Sequence, residues 1–168
     1  MIADEPVVIG LGGNVGDPPA IVGRFDRARA ALAELGDVRS ARLYRSAPLG
    51  PDQPWFFNTA VRIARVAAQP GELLATLLEI ERRLGRRRET EARWGPRPLD
   101  LDVLVWGVRF VRTPDLEVPH PRLAERRFAL LPLIDVVGAD FVVPGAGTAG
   151  SLARRVADQL CDEVAAAW

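Results

Sequence analysis

The sequence predicts an α+β fold, a ferredoxin-like βαββαβ sandwich with additional C-terminal helices. Two observations carry this. Short runs of β-branched and aromatic residues in partial alternation take turns with stretches whose apolar residues recur at helical spacing. Over the first two-thirds of the chain their order is strand, helix, strand, strand, helix, strand, the succession of a split βαβ unit with one layer of helix on a mainly antiparallel sheet. At 168 residues, 48% hydrophobic and 26% charged, the chain suits one ordinary domain, 1–168.

The first run, Pro6 to Leu11, is closed by Gly12-Gly13-Asn14 and reads as a buried strand ending in a turn. After Pro18-Pro19, Ile21, Phe25, Ala28, Leu32 and Leu35 fall on one helical face, and Gly36 stands where the helix would stop. Val38 to Ser46 and Phe57 to Val66 read as two strands joined by a proline-rich loop, Ala47 to Pro54. Pro70-Gly71-Glu72 opens a second helix with Leu73, Leu77, Ile80 and Leu84 on one face and Gly85 at its end. An arginine-rich loop follows, then the strand Leu99 to Trp106. Leu123 to Val136 and Ser151 to Ala167 are expected to be helical, with Gly138 to Gly150 an irregular connection.

Charge and composition exclude several functions. The formal net charge of +0 removes the general attraction to nucleic acid or to an anionic membrane that a large positive excess supplies. All 22 basic residues are arginine, so neither a Walker-type phosphate loop nor a Schiff base can form. Cys161 is alone, and no stretch has the length of a membrane span or the pattern of a signal peptide. The expectation is a cytoplasmic protein, a monomer, without nucleic-acid or membrane partners.

The chemistry concentrates in Arg93-Trp94-Gly95-Pro96-Arg97-Pro98-Leu99-Asp100-Leu101-Asp102. On a strand, residues two apart share a face, so Asp100 and Asp102 stand side by side while Leu99, Leu101, Val103 and Val105 turn to the core. Adjacent carboxylates repel, and a hard divalent ion such as magnesium relieves the repulsion while leaving positions for substrate phosphates. The alternative is a solvated sheet face. Arg82 to Arg97 carries seven arginines, suited to phosphate because guanidinium stays protonated and offers a planar fork of donors. Glu79, Glu81, Glu89 and Glu91 offer the competing reading of a salt-bridged helix end, the better one for Arg82 and Arg83. Arg93 and Arg97 flank a Gly-Pro turn directly before the carboxylates, which points to a magnesium-dependent transfer of a phosphoryl or pyrophosphoryl group. Trp55, Phe56, Phe57 and Asn58 could clamp a flat heterocycle or pack in the core. His120, the only histidine, contacts a phosphate or holds a loop.

Taken together these motifs resemble the 6-hydroxymethyl-7,8-dihydropterin pyrophosphokinases of folate biosynthesis. The resemblance runs through Gly10-Leu11-Gly12-Gly13-Asn14, Tyr44 to Gly50, Asp52 to Asn58, Ile80-Glu81, Gly85-Arg86, Arg93 to Arg97, Leu99 to Asp102, and Pro119-His120-Pro121 with Arg126 and Phe128. It implies transfer of pyrophosphate from ATP to the dihydropterin, with AMP released. It also implies Asp100 and Asp102 as ligands of two Mg2+ ions, and Arg86 and Arg97 beside them in the catalytic set. Glu81, Arg86, Arg88, Arg93, Trp94, Arg97, His120 and Arg126 would bind ATP. Ser46, Pro48, Leu49 and Asn58 would read the pterin edge, with Phe56 and Phe128 stacked on its faces. Three departures stand out: Gly13 replaces the usual serine, the arginine loop is one residue longer, and Asp115 and Glu117 occupy positions where some members have arginine and threonine. The longer loop leaves open which of Arg86, Arg87 and Arg88 meets ATP. The rival reading is a non-catalytic RNA- or nucleotide-binding domain of the same topology.

Overall fold

A computed structural model of the chain describes residues 5–165 and 168. Strand β1 (Val7–Gly13) leads into α1 (Pro18–Leu32), whose start is set by Asp17: its carboxylate accepts from the Ala20 amide at 2.9 Å, and Pro18 occupies the first helical position. Ile21, Phe25, Ala28 and Leu32 are its buried face, as the spacing requires. Strands β2 (Asp37–Ser40), β3 (Leu43–Ser46) and β4 (Phe56–Ala64) follow, then α2 (Pro70–Arg83), where the Glu72 side chain accepts from the Gln69 amide at 2.8 Å. Strand β5 (Asp100–Trp106) completes this part.

The sheet is antiparallel, in the order β10-β3-β4-β1-β5, where β10 is Cys161–Ala165, with β2 also on β4. The protein is therefore α+β, with an antiparallel sheet and four helices among the described residues. One face packs Val7, Ile9, Val61, Ile63, Leu101 and Val103 against α1 and α2. The opposite face, expected to be open, packs Val8, Ala60, Leu104 and Val105 against α3 (Arg127–Val137) and α4 (Ala149–Arg155). Packing on both sides leaves β4 buried along nearly its whole length rather than at alternate residues.

Four differences from the sequence reading have physical causes. The strand expected over 38–46 is two strands, because one extra residue opposes β4 between the pairs Ser40–Val61 and Tyr44–Asn58. The polar groups freed there are met by side chains: the Arg42 amide donates to Asp135 at 3.0 Å, and the Thr59 hydroxyl donates to the Arg42 carbonyl at 2.9 Å. A register shift between β1 and β5 turns Val105, with Leu104, toward α3 instead of the expected core face. The helix expected from Leu123 is interrupted at Arg126, which is extended (φ −124°) between a 3-10 turn (Leu123–Glu125) and α3.

The last difference corrects the C-terminal helix. It ends at Arg155, and β10 (Cys161–Ala165) pairs instead with the open edge of β3; positions 166–167 lie outside the described residues. Leu152, Val156, Leu160 and Val164 are spaced as on a helix, yet Leu160 and Val164 are exposed, so the unpaired backbone of β3 outweighed periodicity. The connection 138–150 contains a short ribbon of β8 (Val142–Val143) and β9 (Gly147–Thr148), and β6 (Val111–Arg112) pairs with β7 (Glu117–Val118). No helix among the described residues is long and apolar enough to cross a membrane.

Candidate active site

A cleft opens on the α3 side of the sheet, and its floor follows from strand register. Gly12 of β1 lies between Asp100 of β5 and Asn58 of β4, and Gly10 lies between Asp102 and Ala60. The two glycines leave a lane free of side chains, with the carboxylates on one side and the amide on the other. A Cβ at Gly12 would meet Asn58 Oδ1 at 3.3 Å, and one at Gly10 would press on Leu104 at 3.1 Å.

Asp100 and Asp102 share the face that their spacing requires, but their environments differ. Asp100 Oδ1 accepts from Arg86 Nη1 at 2.6 Å and Oδ2 from Arg97 Nη1 at 2.9 Å. Burial alone would raise its pKa; the guanidiniums of Arg86 and Arg97 overcome that and hold it below the ordinary carboxylate value. Asp102 has no arginine partner within ion-pair distance among the described residues. Burial, reinforced by the Asp100 charge, pushes it up to about 7. His120 Nε2 is 3.9 Å from Asp102 Oδ1, and His120 Nδ1 accepts from the Arg122 amide at 3.1 Å. Burial and the nearby Arg126 push His120 down to about 4, so at neutral pH it is uncharged and presents Nε2–H toward the cleft.

Beneath the carboxylates lies a buried ion network. Glu81, 1% exposed on the inner face of α2, accepts from the Leu101 amide at 2.8 Å and from Arg88 Nη2 at 2.7 Å. Arg86, 8% exposed, donates to Glu91 at 2.8 Å and to the Leu99 carbonyl at 3.0 Å as well as to Asp100. Glu81 and Arg86 thus anchor the arginine loop to β5 and do not line the cleft. Arg87 turns to the carbonyls of Arg82 and Arg86, and Arg88 is half-exposed over Glu81. Arg82 and Arg83 pair with Glu79, as the salt-bridged reading has it.

Of the residues expected to meet substrates, Ser46, Leu49, Phe56, Asn58, Trp94, Arg97, His120, Arg126 and Phe128 line the cleft with Asp100 and Asp102. Pro48, Arg88 and Arg93 do not. Asn58 Nδ2 donates to Ser46 Oγ at 2.8 Å, both buried, leaving Asn58 Oδ1 facing the glycine lane. Strand alternation sends Phe56 to the cleft and Phe57 to the core, while Trp55, just before β4, meets Arg45 (guanidinium carbon 4.7 Å from the ring centre). Trp94, in left-handed backbone conformation (φ 63°), reaches across to Arg122, whose guanidinium carbon is 4.9 Å from its ring. Asp115 lies in the β6–β7 turn, and Glu117 on β7 pairs with Arg112; neither lines the cleft.

Sequence reasoning gave no role to Asn14, Gln53 or Arg122. Asn14, 3% exposed, donates to Gln53 Oε1 at 3.0 Å and to the Pro54 carbonyl at 2.9 Å, and accepts from the Arg97 amide at 2.9 Å. Gln53 in turn donates to the Trp94 carbonyl at 2.8 Å. This couples the proline-rich loop to the Arg93–Arg97 turn. A polar residue closing the first buried strand was the available signal. Gly13, the departure from serine, has a cause: a Cβ there would lie 2.5 Å from the Pro98 carbonyl oxygen, so glycine admits the backbone that carries Arg97.

Comparison with known proteins places this cleft in context. The family model for 7,8-dihydro-6-hydroxymethylpterin-pyrophosphokinase matches residues 8–138. The chain is 42% identical over 146 residues to a 2-amino-4-hydroxy-6-hydroxymethyldihydropteridine pyrophosphokinase from Synechocystis sp., covering 83% of this chain and 70% of that one. The corresponding protein of Methylorubrum extorquens is 39% identical, with 87% and 90% covered. A folate synthesis bifunctional protein of Pisum sativum is 46% identical over 80% of this chain, but the match spans only 26% of that longer protein. Among solved structures, an HPPK-DHPS in complex with substrates superposes with a TM-score of 0.70 at 13% identity, over 92% of this chain and 44% of that one, a likeness of fold.

Proposed function

The chain belongs to the 7,8-dihydro-6-hydroxymethylpterin-pyrophosphokinase family, and we propose that it transfers pyrophosphate from ATP to 6-hydroxymethyl-7,8-dihydropterin in folate synthesis, releasing AMP. The observation that carries this reading is the glycine lane. One register brings a carboxylate pair, arginines and a buried amide between two phenylalanines into a single cleft from motifs far apart in sequence.

In this reading the hydroxymethyl oxygen bonds to the β-phosphorus as the bond from that phosphorus to the α,β-bridging oxygen breaks, and the hydroxyl proton passes to solvent. Phe56 and Phe128 stack on the pterin, and Asn58, braced by Ser46, reads its edge. Arg97 and Arg126 face the phosphates, and the neutral His120 donates from Nε2 without adding charge. Asp100 and Asp102 are a hard-oxygen donor pair that fits magnesium, and burial, reinforced by the Asp100 charge, raises the pKa of Asp102, a cost of ionisation that a bound cation would offset. When bound, the metal neutralises phosphate charge; positioning and electrostatics supply most of the acceleration in such transfers. Glu81, Arg86 and Arg88 act from below, by holding Asp100 and the loop above it. The βαββαβ succession and the central order β3-β4-β1-β5 support a ferredoxin-like description, with the described residues working as one catalytic unit.

The test is AMP formation from ATP, magnesium and the dihydropterin. Asp100→Ala and Asp102→Ala should each abolish it while the protein stays folded. AMP release independent of the pterin would remove the proposal.

A further inference from the structure

Away from the cleft, where α1, the β2–β3 break and α3 meet, a surface pocket is lined by Arg29, Arg39, Ser40, Arg42, Asp135 and Trp168. Among the described residues four buried side-chain nitrogen or oxygen atoms have no hydrogen-bond partner. Three of them, Arg29 Nε, Ser40 Oγ and Trp168 Nε1, belong to this one pocket. Native proteins leave few such atoms unmet, because each forfeits about 1–3 kcal/mol of solvation, and three around one pocket call for a common partner.

The chemistry of that partner follows from the donors and the charge. Arg29 Nε and Trp168 Nε1 can only donate, and Ser40 Oγ can donate as well. The single side-chain carboxylate of the pocket is already saturated. Asp135 Oδ1 accepts from the Arg42 guanidinium, while Oδ2 accepts from the Arg42 amide at 3.0 Å and the Tyr44 hydroxyl at 2.8 Å. The Arg42–Asp135 pair is therefore neutral, and Arg42 also meets Glu163. Arg29 and Arg39 have no ion-pair partner among the described residues, and Arg29 has only the Trp168 ring, 5.9 Å from its guanidinium carbon. A water molecule would satisfy one or two of these donors but would not match the charge of Arg29.

We infer that this pocket is a binding site for a phosphate-type oxyanion, held by Arg29, Ser40 and Trp168 with Arg39 closing over it. The three donor atoms are shielded from bulk water, and Arg39 is exposed at the same pocket. The site stands apart from the proposed pyrophosphokinase cleft and does not depend on it: no residue lines both.

Nitrogen-15 NMR of the tryptophan indoles tests this directly. The chain has four tryptophans, and Trp168→Phe identifies the Trp168 signal by its loss. Titrating the full chain with inorganic phosphate at constant ionic strength should shift that signal saturably. The shift should persist in Arg97→Met, which disables the cleft, and the affinity should fall at least about fivefold in Ser40→Ala and Arg29→Met, with the other indole signals reporting an intact fold. A linear, non-saturating drift overturns the site, as does a shift of equal affinity in Ser40→Ala and Arg29→Met, or one abolished by Arg97→Met. Saturation by acetate but not by phosphate overturns the choice of anion.

Discussion

Replacing Asp102 with asparagine keeps the shape of the side chain and removes its charge, and the structure fixes how stability should respond. Burial and the neighbouring Asp100 raise the folded-state pKa of Asp102 from 3.8 to about 7. A carboxyl raised in this way contributes stability that is fully present below its unfolded pKa and is lost as pH rises through the folded one. The interval corresponds to about 4 kcal/mol at ~1.4 kcal/mol per pH unit. With 34% of the side chain exposed, water screens much of that, leaving about 1–2 kcal/mol. In metal-free buffer, Asp102→Asn and the parent protein should have nearly equal stability close to the unfolded pKa. The variant should be more stable by about 1–2 kcal/mol at alkaline pH. Urea unfolding followed by circular dichroism across this range, with a chelator present, measures the difference. Added magnesium should then stabilise the parent protein and not the variant. A difference that does not vary with pH, or a variant less stable than the parent at alkaline pH, would refute the reasoning.

Three further outcomes follow from particular contacts. Asp135→Asn removes the charge that meets the Arg42 guanidinium and amide and the Tyr44 hydroxyl; it should cost about 1–3 kcal/mol in urea unfolding. Gly13→Ala places a Cβ 2.5 Å from a backbone oxygen that cannot yield cheaply; a loss of about 1–3 kcal/mol and a lower rate of AMP formation are expected, through displacement of Arg97. Phe128→Ala should raise the KM for the dihydropterin up to about tenfold, since in the proposed reading the ring stacks on the pterin and such contacts contribute about 0.5–1.5 kcal/mol, with the KM for ATP unchanged; equal effects on both substrates would place Phe128 elsewhere.

Much of the site was legible because its rules are local. That Asp100 and Asp102 share a face follows from the period of a strand, and the fate of Arg82 and Arg83 follows from their helical spacing to Glu79. The separation of Phe56 into the cleft and Phe57 into the core follows the same alternation, although sequence could not say which ring faced which way. Glu81 shows where local reasoning stops. Its spacing from Leu77 places it beside the apolar face of α2, away from Glu79, but only packing of α2 against β5 reveals that it serves the Leu101 amide.

The same division holds for the whole molecule. By itself the sequence determined the succession of strands and helices over the first two-thirds of the chain, the absence of lysine chemistry, the carboxylate pair and its arginine neighbours, because these depend on residue type and short spacing. Tertiary structure decided which strands became neighbours, and so that Gly12 would stand between Asp100 and Asn58, that β3 would take Cys161–Ala165 as a strand, and that Asn14 would join two loops. Those outcomes depend on pairing backbone groups and burying side chains between segments distant in the chain, and such energies are not written in any single window of residues.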